Sequence, residues 1–149
     1  MDRPTAVEID LNSLRHNLSQ VRGLVKGDAD ILAMVKADAY GHGAIPIARE
    51  LESAGVTMLG VATAEEGIEL RLASVTIPIL ILGGIYPGEY QKYLRYRLTP
   101  VLFDLDRARE MEEQARKTAR TWIVHLKIDT GMSRLGFPWK DWAAVLNFF

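Results

Sequence analysis

The sequence predicts an α/β fold built on a parallel sheet. Short, continuously apolar runs recur along the chain, as in strands buried on both faces. Segments with apolar residues at helical spacing separate them, with glycine, proline or capping residues at the junctions. The alternation repeats to give about five βα units, each strand wrapped by its own helix. Alternation alone admits an open doubly wound sheet or a barrel. At 149 residues the chain is too short for a complete eight-stranded barrel, which needs about 250.

Taken in order, Thr5 to Leu11 alternates apolar and polar residues, which predicts a short strand with one wet face. Asn12 or Ser13 stands where it can cap a helix carrying Leu14, Leu18, Val21 and Val25 on one side, and Lys26-Gly27-Asp28 ends that helix. The run Asp30-Ile31-Leu32-Ala33-Met34-Val35 reads as a buried strand that delivers Lys36 to its C-terminal end. A loop, Ala37-Asp38-Ala39-Tyr40-Gly41-His42-Gly43, follows. Ala44 to Ala54 is a helix with Ile47, Ala48 and Leu51 inward and Gly55 as its stop. Met58 to Thr63 is a second buried strand. The helix from Ala64 to Leu72 places Glu65 and Glu66 in its first turn, where the helix dipole favours anions. Ile77 to Leu82 is the most apolar run; Pro78 fits only near its start, and Gly83-Gly84 ends it. Then come a helix over Glu89–Tyr96, a strand over Thr99–Phe103, and a charged helix over Asp104–Lys117 capped by Asp104. The last strand, Trp122–Asp129, leads into the loop Thr130–Gly136 and a helix from Trp139.

Composition narrows the function classes. A hydrophobic share of 48% and a charged share of 25% describe an ordinary water-soluble domain. The formal net charge of −1 gives no electrostatic reason for a nucleic-acid or anionic-membrane partner. With no cysteine, disulfides, thiolate metal sites and a cysteine nucleophile are excluded. No apolar stretch approaches the roughly 20 residues that span a bilayer, and Met1-Asp2-Arg3-Pro4 lacks a signal-peptide pattern. A cytoplasmic protein is expected.

Two stretches stand out for chemistry. A lysine at a strand end is ordinarily solvated, but Lys36 lies at the carboxyl end of a strand, where α/β proteins bind ligands. On the last strand, parity sets His125, Lys127 and Asp129 opposite Val124, Leu126 and Ile128. The polar trio therefore faces a barrel interior or crevice, unless the strand is an edge with a solvated face. Arg134 follows in a glycine-flanked loop that can fold back over the strand end. His42 between glycines is ordinarily just exposed, and the Gly43 N–H ahead of a helix is a weak anion-site signal. No His/Asp/Glu cluster has metal-ligand spacing, and neither a P-loop nor a GxGxxG motif occurs.

These residues resemble a known family. The stretch from Ala33 through Lys36 to Gly43 closely resembles the pyridoxal-phosphate attachment signature of alanine racemases. Far downstream, Leu126-Lys127-Ile128-Asp129-Thr130-Gly131-Met132-Ser133-Arg134-Leu135-Gly136 is similar to that family's second motif. The opening Val7-Glu8-Ile9-Asp10-Leu11, with Leu14, His16 and Asn17, resembles its start, and Asp38 stands where asparagine is also familiar. The resemblance implies a TIM-barrel-type fold, with residues 1–149 as the N-terminal part of the barrel domain and a β-rich C-terminal domain absent. It implies pyridoxal 5'-phosphate as cofactor, alanine as substrate, D-alanine supply for peptidoglycan as the role, and a homo-oligomer, a dimer in the family. By resemblance, Lys36 forms the Schiff base and is one of two opposed bases. Tyr40 holds the cofactor phosphate and Arg134 bonds the pyridine nitrogen. Lys127 is the lysine carried as a carbamate, whose negative charge positions Arg134, and Met132 lines the substrate side. The family's second base is a tyrosine of the C-terminal domain from across the dimer interface, so this chain alone is expected not to racemise alanine.

Two other readings compete with a truncated racemase. One is a single-domain pyridoxal-phosphate carrier on the same barrel, disfavoured by the Lys127-to-Arg134 segment. The other is a non-catalytic fragment that self-associates through unpaired strand edges. The run Asp141 to Phe149, apolar at helical spacing and without a stop signal, fits a truncated chain.

Overall fold

The computed structural model describes residues 5–25, 27 and 29–149. Its elements run α1 (Leu11–Leu24), β1 (Leu32–Met34), α2 (Lys36–Gly41), α3 (Ala44–Ser53), β2 (Met58–Val61), α4 (Ala64–Leu72), β3 (Ile79–Ile81), α5 (Tyr90–Tyr96), β4 (Leu98–Leu102), α6 (Leu105–Thr118), β5 (His125–Leu126), β6 (Ile128–Asp129), β7 (Phe137–Pro138) and α7 (Trp142–Leu146). β1 to β5 form one parallel sheet in the order of the chain, with Met34 opposite Gly60, Gly60 opposite Leu80 and Leu80 opposite Thr99. That order decides between the two architectures the sequence left open. A doubly wound sheet reverses direction at a switch point. Here each strand adds beside the one before it, the winding of a barrel, and the usual right-handed crossovers keep all the helices on one face.

The helix-facing positions form the core. Leu59, Val61, Ile79 and Ile81 are fully buried. A Cβ built on Gly67 of α4 would lie 3.0 Å from the side chains of Ile81 and Leu98, so that glycine lets α4 seat closely on β3 and β4. The opposite face carries Leu32, Met34 and Leu82, whose side chains close around the Gly60 position. Two polar links lock the helical layer. Arg15 of α1 pairs with the buried Glu50 of α3. The Tyr93 hydroxyl donates to the Gly84 carbonyl at 2.6 Å, and burial holds that phenol above its ordinary titration range.

Several expectations need correction. Thr5 to Asp10 is not a strand; the segment is exposed and has no strand beside it among the described residues. The cap of α1 is Asp10, not Asn12 or Ser13, because its carboxylate accepts from both the Asn12 N–H and the Ser13 hydroxyl at 2.8 Å. Of the expected terminator of α1, Lys26 and Asp28 lie outside the described residues. The strand expected over Trp122–Asp129 is broken at Lys127. Its N–H bonds Leu102 of the main sheet at 2.9 Å, while its carbonyl accepts from Phe137 at 2.8 Å, where β6 and β7 form a separate pair. Continuous hydrophobicity could not show that change of partner.

Candidate functional site

Lys36 comes one residue after β1, past Val35, and opens α2, and the chain there does what the sequence did not suggest. Ala37, Asp38, Ala39 and Tyr40 all lie in the left-handed region, with φ between 50 and 57°. For residues with a Cβ this costs about 1–2 kcal/mol each, so the turn persists only because its surroundings hold it. Inside the turn, Ala39 N–H donates to the Val35 carbonyl at 3.0 Å and Gly43 N–H to the Asp38 carbonyl at 2.9 Å. Asp38 also accepts from Ala44 N–H at 2.6 Å, capping α3. Those two bonds occupy the amides on which an anion site at Gly43 would depend. His42, exposed as the sequence suggested, places Nδ1 2.8 Å from the Ala39 carbonyl.

The turn brings Lys36 and Tyr40 together. The half-buried lysine amine lies 5.9 Å from the centre of the Tyr40 ring, which is 59% exposed. Among the described residues no carboxylate lies within ion-pairing distance of that amine. Lys36 lies two residues past Met34, where β1 ends, so the amine is carried at the carboxyl end of the sheet. A cavity of about 530 Å³ lined by Tyr93, Leu98, Thr99 and Trp122 lies elsewhere, against the amino end of β4.

Lys127, Met132 and Arg134 form a second group at the other edge of the sheet. Lys127 is half-buried at the end of β5, and Met132 and Arg134 are exposed in the following loop. His125 is exposed on the edge strand, so only part of the polar trio is enclosed. Asp129 organises the loop instead, accepting from the N–H groups of Gly131 and Ser133, both at 3.0 Å. The Ser133 and Gly131 bonds hold its carboxylate below the ordinary value of 3.8, helped by the Met132 N–H and the Lys127 charge and opposed by desolvation. A depressed carboxylate contributes order that is present above its unfolded value and lost as the pH falls through the folded value. Amide protection at Gly131 and Ser133 is therefore expected to hold from neutral pH down to about 4 and to fall below that; protection that rises on acidification would contradict the assignment. No hydrogen bond or ion pair joins the two groups among the described residues.

The sequence matches the family described as alanine racemase, N-terminal domain, over residues 9–149. The chain belongs to this family. It is 50% identical over 145 residues to the alanine racemase of Geobacter sulfurreducens, a match that covers 97% of this chain and 38% of that protein. The solved structure of the Clostridium difficile 630 alanine racemase in complex with cycloserine is similar at a TM-score of 0.86 and 37% identity, covering 92% of this chain and 38% of that one. The alanine racemase of Bartonella henselae, solved with covalently bound pyridoxal phosphate, gives a TM-score of 0.83 at 27% identity over 93% of this chain and 39% of that one. The chain thus spans about 38% of the length of the curated relatives it matches. The expected TIM-barrel-type fold stands: the five parallel strands and their helices are the N-terminal barrel part of the alanine racemase fold.

Within this alanine racemase domain, the structural work of three residues named in the sequence was not read there. Asp38 and Asp129 each organise a loop through backbone N–H groups. Glu66 does more. Its Oε1 accepts from Ala37 N–H at 2.7 Å, and its Oε2 from Ala62 and Thr63 N–H at 2.7 and 3.3 Å. The Thr63-x-x-Glu66 spacing is a capping-box signal and forms one here. Nothing local in the sequence announces the third bond, to Ala37.

Proposed function

We propose that this chain carries the cofactor lysine of an alanine racemase that interconverts L- and D-alanine. The observation that carries the proposal is Lys36 itself, an amine without an anionic partner among the described residues at the carboxyl end of the first strand, with the Tyr40 phenol beside it. Such an arrangement fits a carbonyl-bearing aromatic phosphate: the amine is free to attack a carbonyl, and the phenol can donate to a phosphate oxygen. Pyridoxal phosphate, when bound, supplies the electron sink for charge developing at the substrate α-carbon. Lys36 holds the cofactor covalently and moves a proton at Nζ on one side of the substrate. Tyr40 binds the phosphate. Arg134 bonds the pyridine nitrogen, and as a guanidinium it is a poor proton donor. Lys127, carried as a carbamate, turns from a repulsive neighbour of Arg134 into an attractive one. Met132 borders the substrate carboxylate.

In this proposal the remaining length of the protein supplies the later barrel strands, a β-rich domain and the opposed base, across the interface of a homodimer. The protein works in the cytoplasm and provides D-alanine for the cell wall; no helix among the described residues is long and apolar enough to cross a membrane. The chain alone binds cofactor without racemising alanine. Incubation with pyridoxal phosphate, borohydride reduction and peptide mapping test the proposal. The expected result is one labelled lysine, Lys36; label spread over surface lysines, or none, overturns it.

A further inference from the structure

The ladder between β1 and β2 ends in an unusual way beside Lys36. Its last backbone rung runs from Val35 N–H to the Gly60 carbonyl at 2.9 Å. In a regular parallel pair the Val35 carbonyl would accept the next bond, from Ala62 N–H. The left-handed turn takes that carbonyl for Ala39 N–H instead. Two donors at the facing strand ends, the N–H of the partly buried Ala62 and that of the exposed Ala37, are thereby left without a ladder partner. The half-buried Glu66 takes both, one on each carboxylate oxygen. The other side-chain bonds at the turn come from Asp38 and His42, within the same loop. Glu66 comes from the next βα unit.

We propose that Glu66 is the positioning residue for Lys36: its carboxylate replaces the missing rung between β1 and β2, holds the left-handed turn, and so fixes where the lysine amine meets the cofactor. The proposal rests on Lys36 being the cofactor lysine, but the clip itself is separately measurable. A carboxylate is needed because both oxygens must accept. Glutamine keeps the shape but offers one acceptor, and it turns an NH₂ group toward an N–H. A purely helix-capping role would be shared by Thr63, whose hydroxyl accepts from Glu66 N–H and makes no bond to the turn.

The test compares the chain with its Glu66→Gln and Thr63→Ala variants. It reads amide exchange at Ala37, then the absorbance and affinity of covalently attached pyridoxal phosphate. Glu66→Gln is expected to speed Ala37 exchange on the order of tenfold or more and to weaken attachment at Lys36 by a comparable factor. Thr63→Ala is expected to leave both within about twofold. The proposal is overturned if Glu66→Gln exchanges and attaches as the parent does, or if Thr63→Ala loses as much. If the parent itself attaches no cofactor at Lys36, the cofactor assignment fails, and Ala37 exchange still decides whether Glu66 holds the turn.

Discussion

Replacing Lys36 by alanine is expected to abolish covalent attachment of pyridoxal phosphate while leaving the chain folded. The lysine is half-exposed and no carboxylate among the described residues pairs with it, so its removal uncovers no buried charge. The stability change should lie within about 0.5 kcal/mol, the range of surface substitutions away from special features. In the whole racemase of the proposal, loss of the group assigned there to attach the cofactor and move a proton should lower turnover by a factor on the order of 10³ or more. Lys36→Arg is the sharper control, since it keeps the charge and much of the length but its guanidinium does not condense with a carbonyl. Absorbance of the attached cofactor that survives in Lys36→Arg would remove Lys36 from the chemistry.

The second large effect is expected from Gly136→Ala. Gly136 has φ +137°, and a Cβ there would lie 2.5 Å from the Asp129 nitrogen, 2.9 Å from the Ile128 carbonyl carbon and 3.0 Å from the Asp129 Cα. All three atoms are backbone, so no side chain can swing aside. The comparable 2.5 Å contact at Gly60 is with the flexible Met34 sulfur, and that site should yield more easily. Relief at Gly136 requires β6 and β7 to separate, which breaks the Phe137-to-Lys127 bond and shifts the loop that carries Met132 and Arg134. Strain and overpacking together should cost about 2–4 kcal/mol. Gly131→Ala isolates the conformational part, because Gly131 has the same φ with nothing within 4 Å of the added atom. Urea midpoints and amide protection at Phe137 measure both variants; equal losses in the two would rule out the backbone clash.

How much of this was legible in the sequence depends on the range of the interaction. The helix over Ala64–Leu72 and the cap at Asp104 came out as read, because the signals sit within a few residues of the structure they specify. Asp10 displaced Asn12 and Ser13 as the cap of α1 because its carboxylate reaches both their donors, two or three residues earlier than the sequence reading placed the helix start. The alternation of Thr5 to Leu11 predicted a strand that a partner must complete, and pattern alone supplies no partner. Barrel winding was hidden for the same reason: alternation counts strands, whereas their order is set by which edges meet. The left-handed turn was the least legible feature. Ala37 and Ala39 carry no preference for it, and only the bonds around them, above all those of Glu66 from a separate helix, make it stable. The site residues named from the resemblance fall into two groups, Lys36 with Tyr40 and Lys127 with Met132 and Arg134, at opposite edges of the sheet.

That strand order bears on how the protein is made. Each strand pairs with the strand synthesised just before it, so pairing needs no distant partner to wait for. Closing a short loop takes nanoseconds to microseconds, whereas a ribosome adds only about 5–20 residues per second. The sheet can thus assemble vectorially as the chain emerges. Once Glu66 leaves the exit tunnel, the groups that hold the turn after Lys36 are already present, and Lys36 is set in place long before translation reaches Arg134.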